Sequence, residues 1–479
     1  MSRRVNLLLD LEILGWMLVG LAGVQVVPGI HAAVVGDPLG PWAMSALTAV
    51  VFGLPVALST RGEDRRMRTR DAFLVVSGAW VLASLFGALP YLHFGALGPI
   101  DAFFEAASGF TTTGASVIPD VEILPPSLLL WRSLTQWIGG GGIVVFAVAV
   151  LPLLGIGGMQ LFRAEVSGPV TDKLTPRVAD TARRLWLVYV GLTVSAGLGL
   201  WLAGMGPFDA VCHALTTVAT GGFSTRNASL GAFGPAVQWV DTAFMALAGV
   251  SFVLHYRCLT GATRGVLRNP ELRCYVGLLA VLTLVTAWDL FASHGREAWR
   301  LAAFQVVSLV TTTGYASSDF DTWPELARML VLPMLLVGGM AGSTAGGIKS
   351  VRLVLAWRAF LASLVRFVHP HAVHPVRWEG RAVPDDVVDG VGIFLIAYVI
   401  LCAACAFAVA AAGYDLETAL SAAASAVSNV GPGLAEVGPT RTFAHFPGEV
   451  KLLLGGAMIA GRLEIFTVLV LFAPRFWRR

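Results

Sequence analysis

The stretch "ASGFTTTGAS", residues 107–116, is wrong for a helix that faces lipid. Glycine and threonine are poor helix formers, and consecutive β-branched residues favour extended backbone. Apolar runs flank it on both sides, and similar segments recur three more times along the chain. A hydroxyl-rich, helix-breaking segment between hydrophobic spans has to be sheltered from hydrocarbon, because lipid offers no partner for its backbone N–H and C=O groups.

Composition sets the frame for that segment. The 479 residues are 56% hydrophobic and only 13% charged, with a mean hydropathy of +0.74. A soluble chain carries about twice that charged fraction. Runs such as "LVYVGLTVSAGLGLWLAG" (187–204) are long enough to cross about 30 Å of hydrocarbon. The expected fold is therefore an all-α polytopic membrane protein. The first apolar stretch, Leu7 to Val35, is too long for the core of a signal peptide and lacks a small-residue cleavage site.

The net charge of +3 says little, but its distribution is informative. Most lysines and arginines lie at the termini and in clusters at 61–70, 163–184, 257–273 and 349–381. The positive-inside rule assigns these clusters and both termini to the cytoplasm. The basic-poor loops near 33–42, 94–127, 206–237, 294–324 and 413–448 then face outward. In those loops Asp120, Glu122, Asp319, Asp321 and Glu436 are candidates for concentrating cations at the entrance, and a solvated surface explains them equally well. The five cysteines form no disulfide framework; Cys402 and Cys405 sit inside an apolar run, where buried thiols outweigh a redox or zinc site. "HPHAVHP" (369–375) reads as an ordinary loop.

Four segments share one grammar: "DAFFEAASGFTTTGAS" (101–116), "DAVCHALTTVATGGFS" (209–224), "LAAFQVVSLVTTTGYAS" (301–317) and "ETALSAAASAVSNVGPGLA" (417–435). They register without a gap on Gly114, Gly222, Gly314 and Gly431, with acidic starts at Asp101, Asp209, Glu297 and Glu417. The short amphipathic portions can enter a membrane but not cross it. Each unit reads as helix, re-entrant half-helix, extended segment, helix. Their spans fall near 71–93 and 128–153, 183–205 and 237–260, 272–293 and 325–363, and 387–412 and 449–473. Two further spans, 9–33 and 41–59, come first, for ten crossings in all. The implied division is an N-terminal extension at 1–65 and repeats at 66–180, 181–268, 269–380 and 381–479.

Four such segments can surround one central pore. Backbone carbonyls with threonine hydroxyls nearby can replace the hydration shell of a monovalent cation, and glycine permits the unusual dihedrals this needs. The half-helices run inward, aiming the partial negative charge of their C-terminal ends at the centre. The candidate filter comprises Thr111, Thr112, Thr113 and Gly114; Thr220, Gly221 and Gly222; Thr311, Thr312, Thr313 and Gly314; and Ser428, Asn429, Val430 and Gly431.

At these residues the chain resembles the Trk/Ktr/HKT superfamily of potassium transporters, and its two extra N-terminal spans make it most similar to the bacterial TrkH/TrkG branch. "LWRSLTQWIGGGGIVVFAVAVLP" (130–152), "GGMAGSTAGGIKSVR" (338–352) and "GRLEIFT" (461–467) also look like family blocks. The resemblance implies K⁺ uptake through each protomer, a homodimer in the bacterial cytoplasmic membrane, and gating by a cytoplasmic nucleotide-binding RCK subunit of the TrkA type. K⁺ is its substrate, no cofactor is expected on this chain, and its surroundings are lipid rather than nucleic acid. Glycine in all four filters goes with K⁺ selectivity in the family.

The Gly- and Ser-rich interruption at 338–347 contributes the candidate gate residues Gly338, Gly339, Gly342, Ser343, Thr344, Gly346 and Gly347. Clustered in mid-span, they favour an intramembrane loop over a helix-packing face. The family reading is a loop that blocks the pore beneath the filter. Arg462, inside the last apolar span, is costly in lipid and so marks function; the resemblance implies that it raises a barrier to K⁺. Pairing with Glu464 or with a backbone carbonyl is the structural alternative. Lys349 and Arg352 are each read as a pore-mouth charge or a cytoplasmic anchor, with anchoring favoured for Arg352, and 369–386 as a docking region for the partner. A less selective Na⁺/K⁺ pathway and a cation-coupled symporter are the rival transport readings. A membrane enzyme would need convergent His, Asp, Glu or Ser/Lys groups within the spans, and the sequence offers no such set.

Overall fold

The computed structural model describes residues 6–61, 67, 69–149, 176–369 and 374–477. The chain is an all-α polytopic membrane protein. Among the described residues six helical segments are long and apolar enough to cross a membrane, and eight if two sharply bent helix pairs each count as one span. Their outward faces carry large apolar side chains, such as Leu187, Val194, Leu198 and Leu202 on the helix Pro176–Leu202. That inverted pattern is what a lipid solvent selects.

Several expected crossings are not single helices. The span expected at 237–260 bends by 98° between Pro235–Ala248 and Phe252–Leu259. The last span bends by 109° between Gly448–Arg462 and Phe466–Phe472, because Glu464 and Ile465 take positive φ values of 65° and 49°. The span at 325–363 ends as a helix at Leu336 and resumes at Ser350. The second helix of the first unit is Pro126–Ala149; the remainder of its expected span, and most of the 163–184 basic cluster, lie outside the described residues.

Four short helices lie among these spans: Pro99–Phe110, Pro207–Val218, Ala298–Val310 and Leu416–Ser428. At 12 or 13 residues each they fall short of the roughly 20 a crossing needs. The first two begin on a Gly-Pro step, where proline at the first helical position loses no useful N–H. The fourth starts earlier than its expected acid: Asp415, not Glu417, is the N-cap, accepting from the Thr418 N–H at 3.1 Å. Shorter Asp reaches the free N–H groups of the first turn, the usual reason it is preferred at a cap.

These half-helices are packed in protein. Ala419, Ala422, Ala423 and Val427 of the fourth pack in one cluster with Val450, Leu454, Ala457 and Met458 of the last long helix. Leu301, Ala302, Val306 and Leu309 of the third share a cluster with Leu290, Met334 and Leu335. The Arg377–Trp378 and Arg381–Ala382 strands form a tight hairpin in the region expected to dock a partner. Its Trp378 is buried with Val376, Val383 and Leu355, while Arg377, Glu379 and Arg381 stay exposed; 370–373, including His371 of the histidine-rich stretch, lie outside the described residues.

Candidate functional site

Each half-helix gives way to extended backbone with the same dihedral signature. The residue two before the registered glycine takes a positive φ every time: Thr112 at 53°, Thr220 at 53°, Thr312 at 57° and Asn429 at 59°. The glycines follow at 81° for Gly114, 77° for Gly222, 81° for Gly314 and 112° for Gly431. A non-glycine residue in this region costs roughly 1–2 kcal/mol, so its recurrence at four matched positions reflects a shared constraint.

The four segments meet in a closed ring, in chain order. A Cβ on Gly114 would lie 2.1 Å from the Gly221 carbonyl oxygen, and one on Gly222 would lie 2.0 Å from that of Thr313. One on Gly314 would lie 1.8 Å from the Val430 oxygen, and one on Gly431 would lie 2.8 Å from that of Thr113. Every glycine thus abuts the carbonyl just before the glycine of the next segment, and the fourth returns to the first. All the candidate filter side chains are buried: Thr111, Thr112, Thr113, Thr220, Thr311, Thr312, Thr313, Ser428, Asn429 and Val430.

Threonine hydroxyls hold the turns that lead into the ring. Thr111 Oγ1 donates to the Ala107 carbonyl at 2.6 Å and pairs with Thr113 Oγ1 at 2.7 Å. Thr311 repeats this with Val307 and Thr313, both at 2.7 Å. The second segment lacks a matching hydroxyl pair and is held from outside: Gln136 Nε2 donates to the Gly221 oxygen at 2.7 Å, and Phe223 N donates back to Gln136 Oε1 at 3.1 Å. In the fourth, Asn429 Nδ2 donates to Thr113 Oγ1 at 2.9 Å and to the Met458 carbonyl at 2.8 Å, stitching it to the first.

Outside the ring lies a cavity of about 150 Å³, lined among others by Gly114, Gly222, Gly314, Gly431, Arg226 and Arg441. The five acids singled out as cation attractors are absent from its lining. Glu122 faces Arg226, Asp321 faces Arg328 and Glu436 faces Arg441, while Asp120 accepts from Asn227 and Asp319 caps a short 3₁₀ turn. Burial alone would raise the Asp209 carboxyl nearby, but Arg226 at 2.8 Å and Thr225 at 2.7 Å hold it below the usual carboxylate range.

On the other side of the ring the Gly-rich interruption is an ordered loop. Its ends pair as a parallel bridge between Val337 and Ile348, and Gly342 and Gly347 turn it with φ values of 76° and 68°. Gly346 N donates to Thr312 Oγ1 at 2.7 Å, directly joining loop and third segment. Thr344 Oγ1 donates to the Val218 carbonyl at 2.9 Å. Ser343 Oγ donates to the Met340 carbonyl at 2.6 Å, and a Cβ on Gly338 would lie 2.0 Å from the Gly346 oxygen. Gly339 is hemmed in by Gly249, whose carbonyl would sit 2.8 Å from an added Cβ.

Arg462 reaches this loop. Its Nη1 donates to the Thr344 carbonyl at 2.6 Å, and its Nε and Nη2 have no hydrogen-bond partner among the described residues. Glu464 serves other cations, pairing with Lys349 at 3.4 Å and with Arg352. Arg352 is accordingly no surface anchor: it is buried, pairs with Glu464 and stacks 3.8 Å from the Phe394 ring centroid. Glu271, which composition alone did not single out, braces the loop by accepting from Ala341 N at 2.7 Å, Ser350 Oγ at 3.0 Å and Val351 N at 3.1 Å.

A multi-pass helical protein with non-helical backbone buried at four matched positions around one axis is built as a membrane transport protein. The chain belongs to the TrkH family of cation transport proteins, which matches residues 43–479. It is 38% identical over 477 residues to the Trk system potassium uptake protein TrkH of Escherichia coli K12, covering 98% of each chain. It is 40% identical over 488 residues to the Halomonas elongata TrkH, covering 99% of this chain and 100% of that one. The crystal structure of the potassium transporter TrkH from Vibrio parahaemolyticus matches with a TM-score of 0.90 and 36% identity, covering 98% of this chain and 100% of that one. The family is one of transporters rather than enzymes.

Proposed function

We propose that this chain is the K⁺-translocating membrane subunit of a Trk-type uptake system in a bacterial inner membrane, with both termini cytoplasmic. The observation that carries the reading is the closed ring of four glycine–carbonyl contacts, together with relatives named as potassium uptake proteins. The ion passes along the axis of the ring, exchanging hydration water for oxygens of the four segments. The units 66–180, 181–268, 269–380 and 381–479 each supply one quarter.

The loop at 338–347 is the gate. It hangs from the third segment by Gly346 and Thr312 and is braced by Arg462, so moving it requires these bonds to break. The work comes from a cytoplasmic nucleotide-binding RCK subunit that meets the exposed hairpin around Arg377 and Arg381, and two copies of the chain assemble as a homodimer. Flux of radiolabelled Rb⁺ and Na⁺ into liposomes tests the reading. Rb⁺ should pass in clear preference to Na⁺ and respond to the RCK subunit; equal permeation of the two would defeat K⁺ selectivity.

A further inference from the structure

Nine residues before the registered glycines stand Glu105, His213, Gln305 and Ala422. The first three reach forward over their own segment. Glu105 accepts from Ser116 Oγ at 3.0 Å and from Val117 N at 2.9 Å. His213 Nε2 meets Ser224 Oγ at 2.9 Å, and Gln305 Nε2 donates to the Tyr315 carbonyl at 3.2 Å. In the fourth unit Ala422 has no such group, and Ser425 takes over, donating to the Gly431 carbonyl at 2.6 Å.

The first brace alone is ionic, and it extends to a second segment. Arg132 Nε donates to Glu105 at 3.0 Å, while its Nη1 donates to the Ser224 carbonyl at 3.0 Å and its Nη2 to Ser116 Oγ at 3.3 Å. The same guanidinium lies 4.1 Å from the Phe223 ring centroid. Gln136, one turn further along the same helix, holds Gly221 and Phe223. Glu105 is fully buried and Arg132 nearly so, so the pair is shielded from the screening that weakens surface ion pairs.

We propose that the Glu105–Arg132 strut is a specificity-determining element that fixes the spacing between the first and second filter segments. Through Ser116, Val117, Ser224 and Phe223 it grips both segments just outside Gly114 and Gly222. The planar, forked guanidinium suits this task because its donors are fixed in direction. Lys at the same place would supply one charge but not three directed bonds. Both residues act as positioning groups, since they bear on the ring through its backbone. The proposal rests on the transport reading above.

The test is the Rb⁺/Na⁺ permeation ratio of purified Glu105→Gln, Arg132→Lys and the double variant Glu105→Gln/Arg132→Gln in liposomes. Discrimination by the parent protein tests the transport reading, and the change on substitution tests the strut. The ratio should fall by about tenfold in each variant, equivalent to about 1.4 kcal/mol, with Rb⁺ flux persisting. The difference in melting temperature between K⁺ and Na⁺ solutions should shrink in parallel, a readout independent of flux. Arg441→Gln separates position from charge, because Arg441 lines the same outer cavity yet, among the described residues, pairs only with exposed Glu436. A ratio within twofold of the parent in both single variants overturns the strut, as does an equal fall in Arg441→Gln.

Discussion

Arg462 donates to the carbonyl oxygen of Thr344 at 2.6 Å, joining the last pore-side helix to the middle of the intramembrane loop. Thr344 in turn holds the end of the second half-helix through the Val218 carbonyl. Through Thr344, a single guanidinium therefore links residues of the expected second, third and fourth units, and on the transport reading proposed above it sets a positive charge beside the path of the ion.

Arg462→Ala should increase Rb⁺ flux. A charge-assisted hydrogen bond contributes about 1.5–3 kcal/mol, so releasing the loop and removing the charge should raise flux by roughly tenfold or more. Arg462→Lys, which keeps charge but not the forked geometry, should fall between. Liposome uptake at matched protein levels checks this; unchanged or lower flux in Arg462→Ala would sink the barrier role.

Glu464→Gln should destabilise the fold more than it alters selectivity. Glu464 is the shared partner of Lys349 and Arg352, and both cations are buried. Breaking a buried pair from one side costs about 3–5 kcal/mol because a charge is left uncompensated. The melting midpoint of the purified protein should drop well below the parent's, and the Rb⁺/Na⁺ ratio should stay close to it. A midpoint equal to the parent's would show that the cluster does not hold the loop end to the last helix.

Asn429 offers a way to separate backbone strain from side-chain bonding. Its φ of 59° is tolerated by Asn and better by Gly, whereas its amide binds Thr113 and Met458. Asn429→Ala loses both advantages and should cost about 2–3 kcal/mol. Asn429→Gly relieves the backbone and loses only the bonds, so its melting temperature should lie between those of the alanine variant and the parent. Equal losses in the two variants would mean that the left-handed conformation contributes nothing.

What the sequence reveals and what it hides divide along a physical line. Apolar length and the four glycine-registered segments, of which the first and third read T-T-T-G, are local signals, and they point to the half-helices and the ring glycines. Arg462 stood out because a charge in an apolar span is expensive wherever it points. The partnership of Arg352 with Glu464 was hidden, since the two lie 112 residues apart and a basic residue after a span resembles an ordinary anchor. Hydropathy also ran straight through the bends at 249–251 and 463–465, because a change of direction leaves no trace in apolar content. Arg132 and Gln136 do carry a usable signal: a charge and an amide lie one turn apart on the helix Pro126–Ala149, and such groups within a span are costly unless they hold something.

Gly114→Ser is the sharpest test of the ring. The resemblance ties glycine in all four filters to K⁺ selectivity, and the geometry supplies a reason for it at Gly114. The glycine has a φ of 81°, and a Cβ there would come within 2.1 Å of the Gly221 carbonyl oxygen, far inside van der Waals contact. That oxygen is held in place by Gln136, so the second segment has to move as backbone and cannot swing a flexible side chain aside. The first and second quarters should separate by a few tenths of an ångström or more, and the Rb⁺/Na⁺ ratio should fall by at least about tenfold, or 1.4 kcal/mol. Gly431→Ser should be milder, because its Cβ would meet the Thr113 oxygen at 2.8 Å. Parallel Rb⁺ and Na⁺ flux measurements on both variants decide it: a ratio unchanged in Gly114→Ser would mean that ions do not sense the spacing of this ring.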